Sequence, residues 1–444
     1  MIEHFLIVIT GIFVGTVSGI LPGIGTSISL ILTVPILLQL DVTGLFLFYM
    51  SILSTAQFTG TIPSVFMQVP GESNSIPALV EGAKFKKRKL SSMAIGICAV
   101  GSLFGSIVAI CITFLLLPHV MDHFEIFLKD NFRMALYIVV LFASMFAFNN
   151  KKYILNFILL AVGYVLAMVG PHFLANSYRL TFGIEALEHG IPFYPLILGL
   201  IVAPTMFLAL KKDVKLNFVL EKTTRFRTVL FLWFRSKWAS LRGAVIGFFA
   251  AMCPGFGTLL STNVSYALEV KLNPLYASRK IIAAETANNS GGFGMLLPFV
   301  LLGIPLTSSE FILFNYLLEA GWSPFAFLNL ESNAIILMKT LVPWFVFVNF
   351  VALIIAWPLA KVIIQIMQKL KKFLNIFIIL VCVVTCIWLG KSDYQLGLYL
   401  TTLMVSSIIA ISLKRINLMP VLFAFILGQD LEFILQRYWT LLIN

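Results

Sequence analysis

Proline and glycine recur in one pattern within two apolar stretches, GIFVGTVSGILPGIGTSIS at residues 11–29 and GAVIGFFAAMCPGFGTLLS at 243–261. With a constant offset of 232, Gly11, Gly15, Pro22, Gly23, Gly25, Thr26 and Ser29 match Gly243, Gly247, Pro254, Gly255, Gly257, Thr258 and Ser261. Proline has no amide hydrogen and glycine accepts unusual backbone angles, so each PGxG is expected to interrupt a helix and free backbone groups. In hydrocarbon such groups are costly unless they face protein or a watery cavity, and the breaks are therefore expected to line one. Thr26, Ser27, Thr258 and Ser261 place hydroxyls beside them. A proline kink closed by neighbouring helices is the plainer reading of one copy. The paired copies argue instead for a transport site, because interrupted segments in corresponding halves mark the binding site of secondary transporters.

Each half has a second break, QVPGESNS at 68–75 and LGIPLTSS at 302–309. An offset of 235 relates Pro63, Val65, Pro70 and Ser73 to Pro298, Val300, Pro305 and Ser308. Free amides and the positive dipole end of a helix N-terminus attract anions, and carboxylates are natural ligands there. Gly60, Gly71, Asn74 and Thr307 join the prolines and serines as candidates for substrate binding, with plain N-capping as the alternative for Ser73 or Ser308. The stretch IIAAETANNSGGFG, 281–294, sets Glu285, Asn288, Asn289 and Ser290 in apolar surroundings. Polar side chains at membrane depth face a bundle interior or a pathway. Asn288 and Asn289 can bond a carboxylate or offer oxygen to a hard cation, and all four residues are coupling-ion candidates. For Glu285 an ion pair with Lys280 stands as the alternative.

Other features read as structural. The GxxxG series Gly11, Gly15, Gly19 suits close helix packing, and Glu269 suits an interface. The five cysteines and five histidines lack disulfide or metal-ligand spacing, so no cofactor is expected. The chain has no Walker, GxSxG or HExxH motif, which removes the usual grounds for ATP-driven transport or hydrolase chemistry; an enzyme is not expected.

The elements that position these residues follow from composition. Hydrophobic residues make up 60% of the chain and charged ones 11%, leaving too little polar surface for a soluble globule of this length. The expected class is an all-α polytopic membrane protein of about 10–12 transmembrane segments. The net charge of +12 is spread over short separate loops and implies membrane orientation, not nucleic acid. Basic clusters at 84–89, 151–152, 211–242, 279–280, 369–372 and 414–415 are placed in the cytoplasm; connections at 118–131, 175–190, 319–333 and 391–395 are placed outside. Apolar segments at 91–117, 134–149, 153–174, 191–210, 334–358, 373–390, 396–412 and 418–436 alternate between them. The N-terminus is predicted outside, without a removable signal peptide. The second repeat starts from the basic connector at 211–242, so the two repeats are predicted to be inverted, with broken helices or re-entrant hairpins. The expected organisation is a first repeat at 1–120, connecting helices and connector at 121–240, a second repeat at 241–360, and C-terminal helices at 361–444.

At these same residues the chain resembles the large membrane subunit of the tripartite tricarboxylate transporters. The likeness runs nearly end to end, through GILPGIG (19–25), TGTIPSVFMQVPGESNS (59–75), RLTFGIEAL (179–187), CPGFGT (253–258), SYALE (265–269), AETANNS (284–290), LGIP (302–305) and ILGQDLE (426–432). It implies sodium- or proton-coupled uptake of di- or tricarboxylates across a bacterial inner membrane. It also implies a homodimer, a small membrane subunit and a periplasmic solute-binding protein as partners. The chain departs from the family pattern at Thr59 and Gly60, where a glycine pair is usual, at Gln68, usually asparagine, at AETANNS in place of PEAANNA, and at Leu306, usually glycine. The expected function is thus a secondary carboxylate transporter working by alternating access around a midplane site. A translocase for another anion, such as a lipid phosphate, or a non-transporting membrane scaffold are the alternatives.

Overall fold

The computed structural model describes residues 2–21, 24–68, 71–122, 135, 138–139, 141–143, 145–146, 149, 152–172, 177–202, 224–303, 305–322, 331–390, 393–413, 416–428 and 431–432. The apolar first segment forms α1 (Ile2–Ile20), the chain breaks at the first PGxG, and α2 (Gly25–Leu32) restarts beyond it. A single turn, α3 (Val34–Leu37), leads to α4 (Val42–Thr59), where Asp41 accepts the Gly44 N–H at 2.8 Å and caps the helix. A π-helical turn (Pro63–Met67) and a 3-10 turn (Ser73–Ser75) flank the second break, followed by α5 (Ile76–Lys87) and α6 (Ser91–Asp122). Next come α7 (Tyr153–Ala167), a hairpin of β1 (Gly170–His172) and β2 (Ser177–Arg179), and α8 (Phe193–Ile197).

The end of the basic connector is itself helical, forming α9 (Phe226–Arg235) and the start of α10 (Lys237–Ala250). The second PGxG separates α10 from α11 (Gly257–Leu272). There follow α12 (Ala277–Leu302), α13 (Ser308–Glu319), α14 (Glu331–Ala356), α15 (Ala360–Leu389) and α16 (Asp393–Ser412). Among the described residues, five helical spans are long and apolar enough to cross a membrane: Ile2–Ile20, Val42–Met67, Ser91–His119, Ile336–Ala356 and Gln395–Ser412. Tyr153–Ala167, Phe193–Val202, Leu380–Leu389 and Met419–Gly428 are shorter apolar helices. Much of the expected segment 134–149 lies outside the described residues. The chain is thus a helical protein with several apolar helices; the small antiparallel hairpin, with Gly170 opposite Arg179, is its one departure from all-α among the described residues.

The chain packs as two compact units. The first comprises Met1–Leu30, Leu37–Phe124 and Val214–Lys371, and it holds both PGxG motifs. The second comprises Ile31–Ile36, Glu125–Asp213 and Lys372–Asn444.

In the first unit the small residues of the repeat sit where helices touch. A Cβ added to Gly11 would stand 2.7 Å from Ser51 Cβ, and one on Gly15 would stand 2.7 Å from the Ile52 carbonyl and 3.0 Å from Thr55 Cβ. In the second half, the same addition at Gly243 and Gly247 would run into the backbone of Ala283 and Ala287. Ser51 with Ala283, and Thr55 with Ala287, are again related by 232, so α1 packs on α4 as α10 packs on α12. This is close small-residue packing of the expected kind. Helix α12 is buried throughout 280–297. On one side Gly101 and Gly105 of α6 let Thr286 approach, and Ile281 and Ile282 join a core with Phe58, Ile95, Cys98 and Trp357.

In the second unit, Arg179 at the end of the hairpin grips Glu432 with both guanidinium branches, Nη2 to Oε2 being 2.8 Å. Two sequence motifs far apart in the chain, RLTFGIEAL and ILGQDLE, meet in this pair.

Candidate functional site

The breaks of both halves converge in the first unit. Gly25 (φ +59°) and Gly257 (φ +49°) open α2 and α11 in the left-handed region, which explains the last glycine of each PGxG. Pro22, Gly23 and Pro70 lie outside the described residues.

Each first break is tied to the second break of its own half. The Thr26 N–H donates to Glu72 Oε1 at 2.9 Å, and the Thr26 hydroxyl points to the same oxygen at 3.3 Å. In the other half the Gly255 N–H donates to the Leu306 carbonyl at 2.8 Å. A Cβ on Gly25 would meet the Glu72 carboxylate, and one on Gly257 would meet Thr307. Glu72 and Thr307 are themselves 235 apart, and each begins a capping box. Glu72 caps the turn closed by Ser75, whereas Thr307 caps α13 with Glu310 as its reciprocal partner. Carboxylate and hydroxyl have exchanged places between the halves, but each second break retains one carboxylate.

This bears on the amides expected to receive an anion. Beyond Pro305, the Leu306 and Thr307 N–H groups donate to Glu310 Oε2 at 2.8 and 3.0 Å, while Glu310 Oε1 is buried without a partner among the described residues. Beyond Pro22, the Thr26 amide is held by Glu72. The protein's own carboxylates therefore stand on two of the four amide groups.

Bonds between the halves complete the cluster. Asn74 Nδ2 lies 3.0 Å from Asn288 Oδ1, 3.1 Å from Thr258 Oγ1 and 3.2 Å from Glu72 Oε2. The Ser27 hydroxyl donates to Ser308 Oγ at 3.3 Å, Tyr49 Oη and Ser309 Oγ are 3.1 Å apart, and Gln57 Nε2 donates to the Asn288 carbonyl at 3.3 Å. A Cβ on Gly292 would collide with the Gln57 amide, so the glycine of this stretch makes room for it. Pro305 is buried and Pro254 half-buried beside these groups. Gly60 and Gly71 serve the backbone: a Cβ on Gly71 would stand 3.0 Å from Gly60 Cα. Ser73 is in the 3-10 turn; its side chain is outside the described set.

The coupling-ion candidates separate. Asn288 faces the cluster, but Asn289, a hundred degrees around the helix, donates to Ser102 Oγ of α6 at 2.7 Å. The Ser290 hydroxyl donates to the Ala244 carbonyl at 2.7 Å and the Ser261 hydroxyl to the Gly247 carbonyl at 2.8 Å, so both fasten α10. Glu285 is 1% exposed and does not pair with Lys280. Lys280 instead lies 3.0 Å from Glu81 Oε1, which also accepts from Tyr266 Oη at 2.9 Å, and Lys84 takes Oε2 at 2.7 Å. Burial opposes the charge of Glu81, but the bonds from Lys84, Lys280 and Tyr266 outweigh it and hold the carboxyl below its ordinary range. Glu269, expected at an interface, is buried and paired with Arg242 at 2.6 Å.

Sequence reasoning missed Tyr49, Gln57, Glu72, Ser309 and Glu310. Glu72 and Glu310 carried a signal, since an acid three residues from a hydroxyl at a helix start is a capping box. Tyr49 and Gln57 lie in an apolar helix whose pattern gives no sign of them.

The tripartite tricarboxylate transporter TctA family model matches residues 5–424. A protein of Agrobacterium vitis, described as an uncharacterized 52.8 kDa protein in the TAR-I ttuC' 3'region, is 24% identical over 307 residues, which is 66% of this chain and 60% of that relative. The aligned part of the chain thus spans less than two thirds of the relative's length. No solved structure matches. The convergence of broken segments and a family match over nearly the whole chain lead to one conclusion: the chain belongs to the tripartite tricarboxylate transporter TctA family.

Proposed function

We propose that the protein is a secondary active transporter that imports di- or tricarboxylates with a sodium ion or proton, by alternating access around the cluster of four breaks. The observation that carries this reading is the bonding of Thr26, Ser27, Asn74, Thr258, Asn288 and Ser308, from both halves, into one polar cluster at interrupted helices. Amides beyond the four prolines, Gly25, Gly257 and these side chains receive the anion as Glu72 and Glu310 yield their places.

Charge supports cation coupling. Among the described residues no Lys, Arg or His donates into the cluster, which already holds Glu72 and Glu310. Two unit charges at roughly 5 Å repel by about 3 kcal/mol at an effective dielectric constant near 20. An incoming polyanion meets that cost from each carboxylate that is ionised, so binding calls for an accompanying cation or for a proton on the carboxylate. The repeats work as inverted halves, with the N-terminus outside and the basic loops in the cytoplasm of a bacterial inner membrane. The junction of Lys84 and Lys280 on Glu81 agrees with a common side for their loops. A homodimer assisted by a small membrane subunit and a periplasmic solute-binding protein is the working assembly.

The test is uptake by purified protein in proteoliposomes, using a panel of mono-, di- and tricarboxylates under an imposed Na⁺ or proton gradient. Gradient-dependent accumulation of at least one di- or tricarboxylate is expected. No accumulation of any member with either gradient, in the presence of the genomic partner subunits, refutes the reading.

A further inference from the structure

Outside the cluster, one buried acidic side chain of the first unit has no use in the contacts described so far. Glu285 lies on the fully buried part of α12, and neither carboxylate oxygen has a hydrogen-bond partner among the described residues. One turn further on, Asn289 directs its Nδ2 to Ser102 Oγ and to the Glu285 carbonyl at 3.2 Å, and its Oδ1 is also buried without a partner among the described residues. Residues four apart on a helix are neighbours. Adjacent turns of α12 therefore present three unpartnered oxygens and no free donor.

An ionised carboxylate in such surroundings is severely destabilised, having lost water and gained neither a cation nor an N–H group. A neutral carboxylic acid needs only one acceptor for its O–H, and Asn289 Oδ1 offers one. A hard metal cation asks for about six oxygen ligands, twice the number unpartnered here. The buried carboxylates of the neighbouring α5 and α11 are otherwise engaged: Glu81 of α5 pairs with Lys280, and Glu269 of α11 pairs with Arg242 of α10. Cys98 of α6 lies within electrostatic reach of Glu285 and supplies no positive charge.

We propose that Glu285 is a proton-binding site, separate from the carboxylate cluster, with Asn289 Oδ1 accepting the bound proton's hydrogen bond. Resting on the transport reading above, the site carries the coupling proton: an O–H bond of hydronium breaks on one side as the Glu285 O–H forms, leaving water, and on the other side the Glu285 O–H breaks as a water takes the proton and becomes hydronium. Its link to the substrate is α12 itself, because Asn288, three residues from Glu285, is bonded to Asn74 in the cluster.

Infrared difference spectroscopy on the full-length protein in liposomes tests the site without a substrate. The wild type is expected to show a protonated-carboxyl C=O band at neutral pH that shifts in D₂O and disappears on alkalinisation. One component of it should be wholly absent in Glu285→Gln, should move to higher frequency in Asn289→Ala, and should persist when Na⁺ is added at constant pH. Identical wild-type and Glu285→Gln spectra overturn the proposal, and so does loss of the component on adding Na⁺, which assigns a sodium site. If Glu285→Gln fails to fold, the Asn289→Ala spectrum decides, and an unshifted band overturns the proposal. Failure of carboxylate uptake refutes the transport reading and leaves the band unaffected, so the two failures are distinguishable.

Discussion

Replacing Lys280 with methionine removes one of three donors from a carboxylate that has no access to water. Glu81 is fully buried on α5, Lys280 opens α12 and Tyr266 belongs to α11, so this junction joins elements of both PGxG halves. Breaking a buried pair by deleting one partner costs about 3–5 kcal/mol, because the other charge stays behind. Lys84 remains on Glu81 Oε2, but its own side chain is 53% exposed and shares its charge with solvent. The Lys280→Met cost is therefore expected at the lower end, about 3 kcal/mol. Glu81→Gln/Lys280→Met leaves no buried orphan charge, since Lys84 is solvated, and is expected to recover about 2 kcal/mol of that cost, within the usual range for residues in contact. The pH dependence follows from the lowered Glu81 carboxyl. A depressed folded-state value means that the contribution is complete above the unfolded carboxylate range, near about 4, and is lost as pH falls through the folded value. Thermal unfolding in detergent, followed by tryptophan fluorescence from neutral to acid pH, measures both effects. Wild-type stability in Lys280→Met, or the same acid sensitivity in wild type and Glu81→Gln, refutes the reasoning.

Four further outcomes are expected. Gly247→Leu forces a side chain into the Ala287 backbone and should destabilise by about 3 kcal/mol or prevent folding; Gly397→Ala, in a helix with no atom within 4 Å of the new methyl, should gain about 0.5–1 kcal/mol, both read by thermal unfolding. Asn74→Ala and Asn288→Ala should each weaken binding of the best carboxylate from the panel by about tenfold, near 1.4 kcal/mol, and the double variant by less than the product, since one bond joins them; calorimetric titration gives all three values. Glu72→Gln and Glu310→Gln should each raise carboxylate affinity measured without added cation at alkaline pH, where a like charge leaves the cluster, and unchanged or weaker binding in both would contradict the charge argument.

The broken helices were legible because proline and glycine alter the backbone wherever they stand. A PGxG inside an apolar run marks the boundaries between α1 and α2 and between α10 and α11 without reference to any neighbour. GxxxG was equally plain, as close approach depends on missing side-chain atoms. Glu285 was harder. Proximity along the chain suggested Lys280 as its partner, but a buried lysine pairs with the carboxylate its helix faces, and that is Glu81, about two hundred residues away.

The sequence by itself determined the membrane class, the family, the breaks and the residue types gathered at them, since these depend on composition and on local backbone chemistry. Tertiary structure alone decided which groups meet. It turned Asn288 toward Asn74 and Asn289 toward Ser102, set Glu72 and Glu310 on amides expected to be free, and left Glu285 without a partner among the described residues. The physical reason is that a hydrogen bond or ion pair is fixed by position in space. Adjacent residues on a helix point in different directions, whereas residues hundreds of positions apart can share one bond.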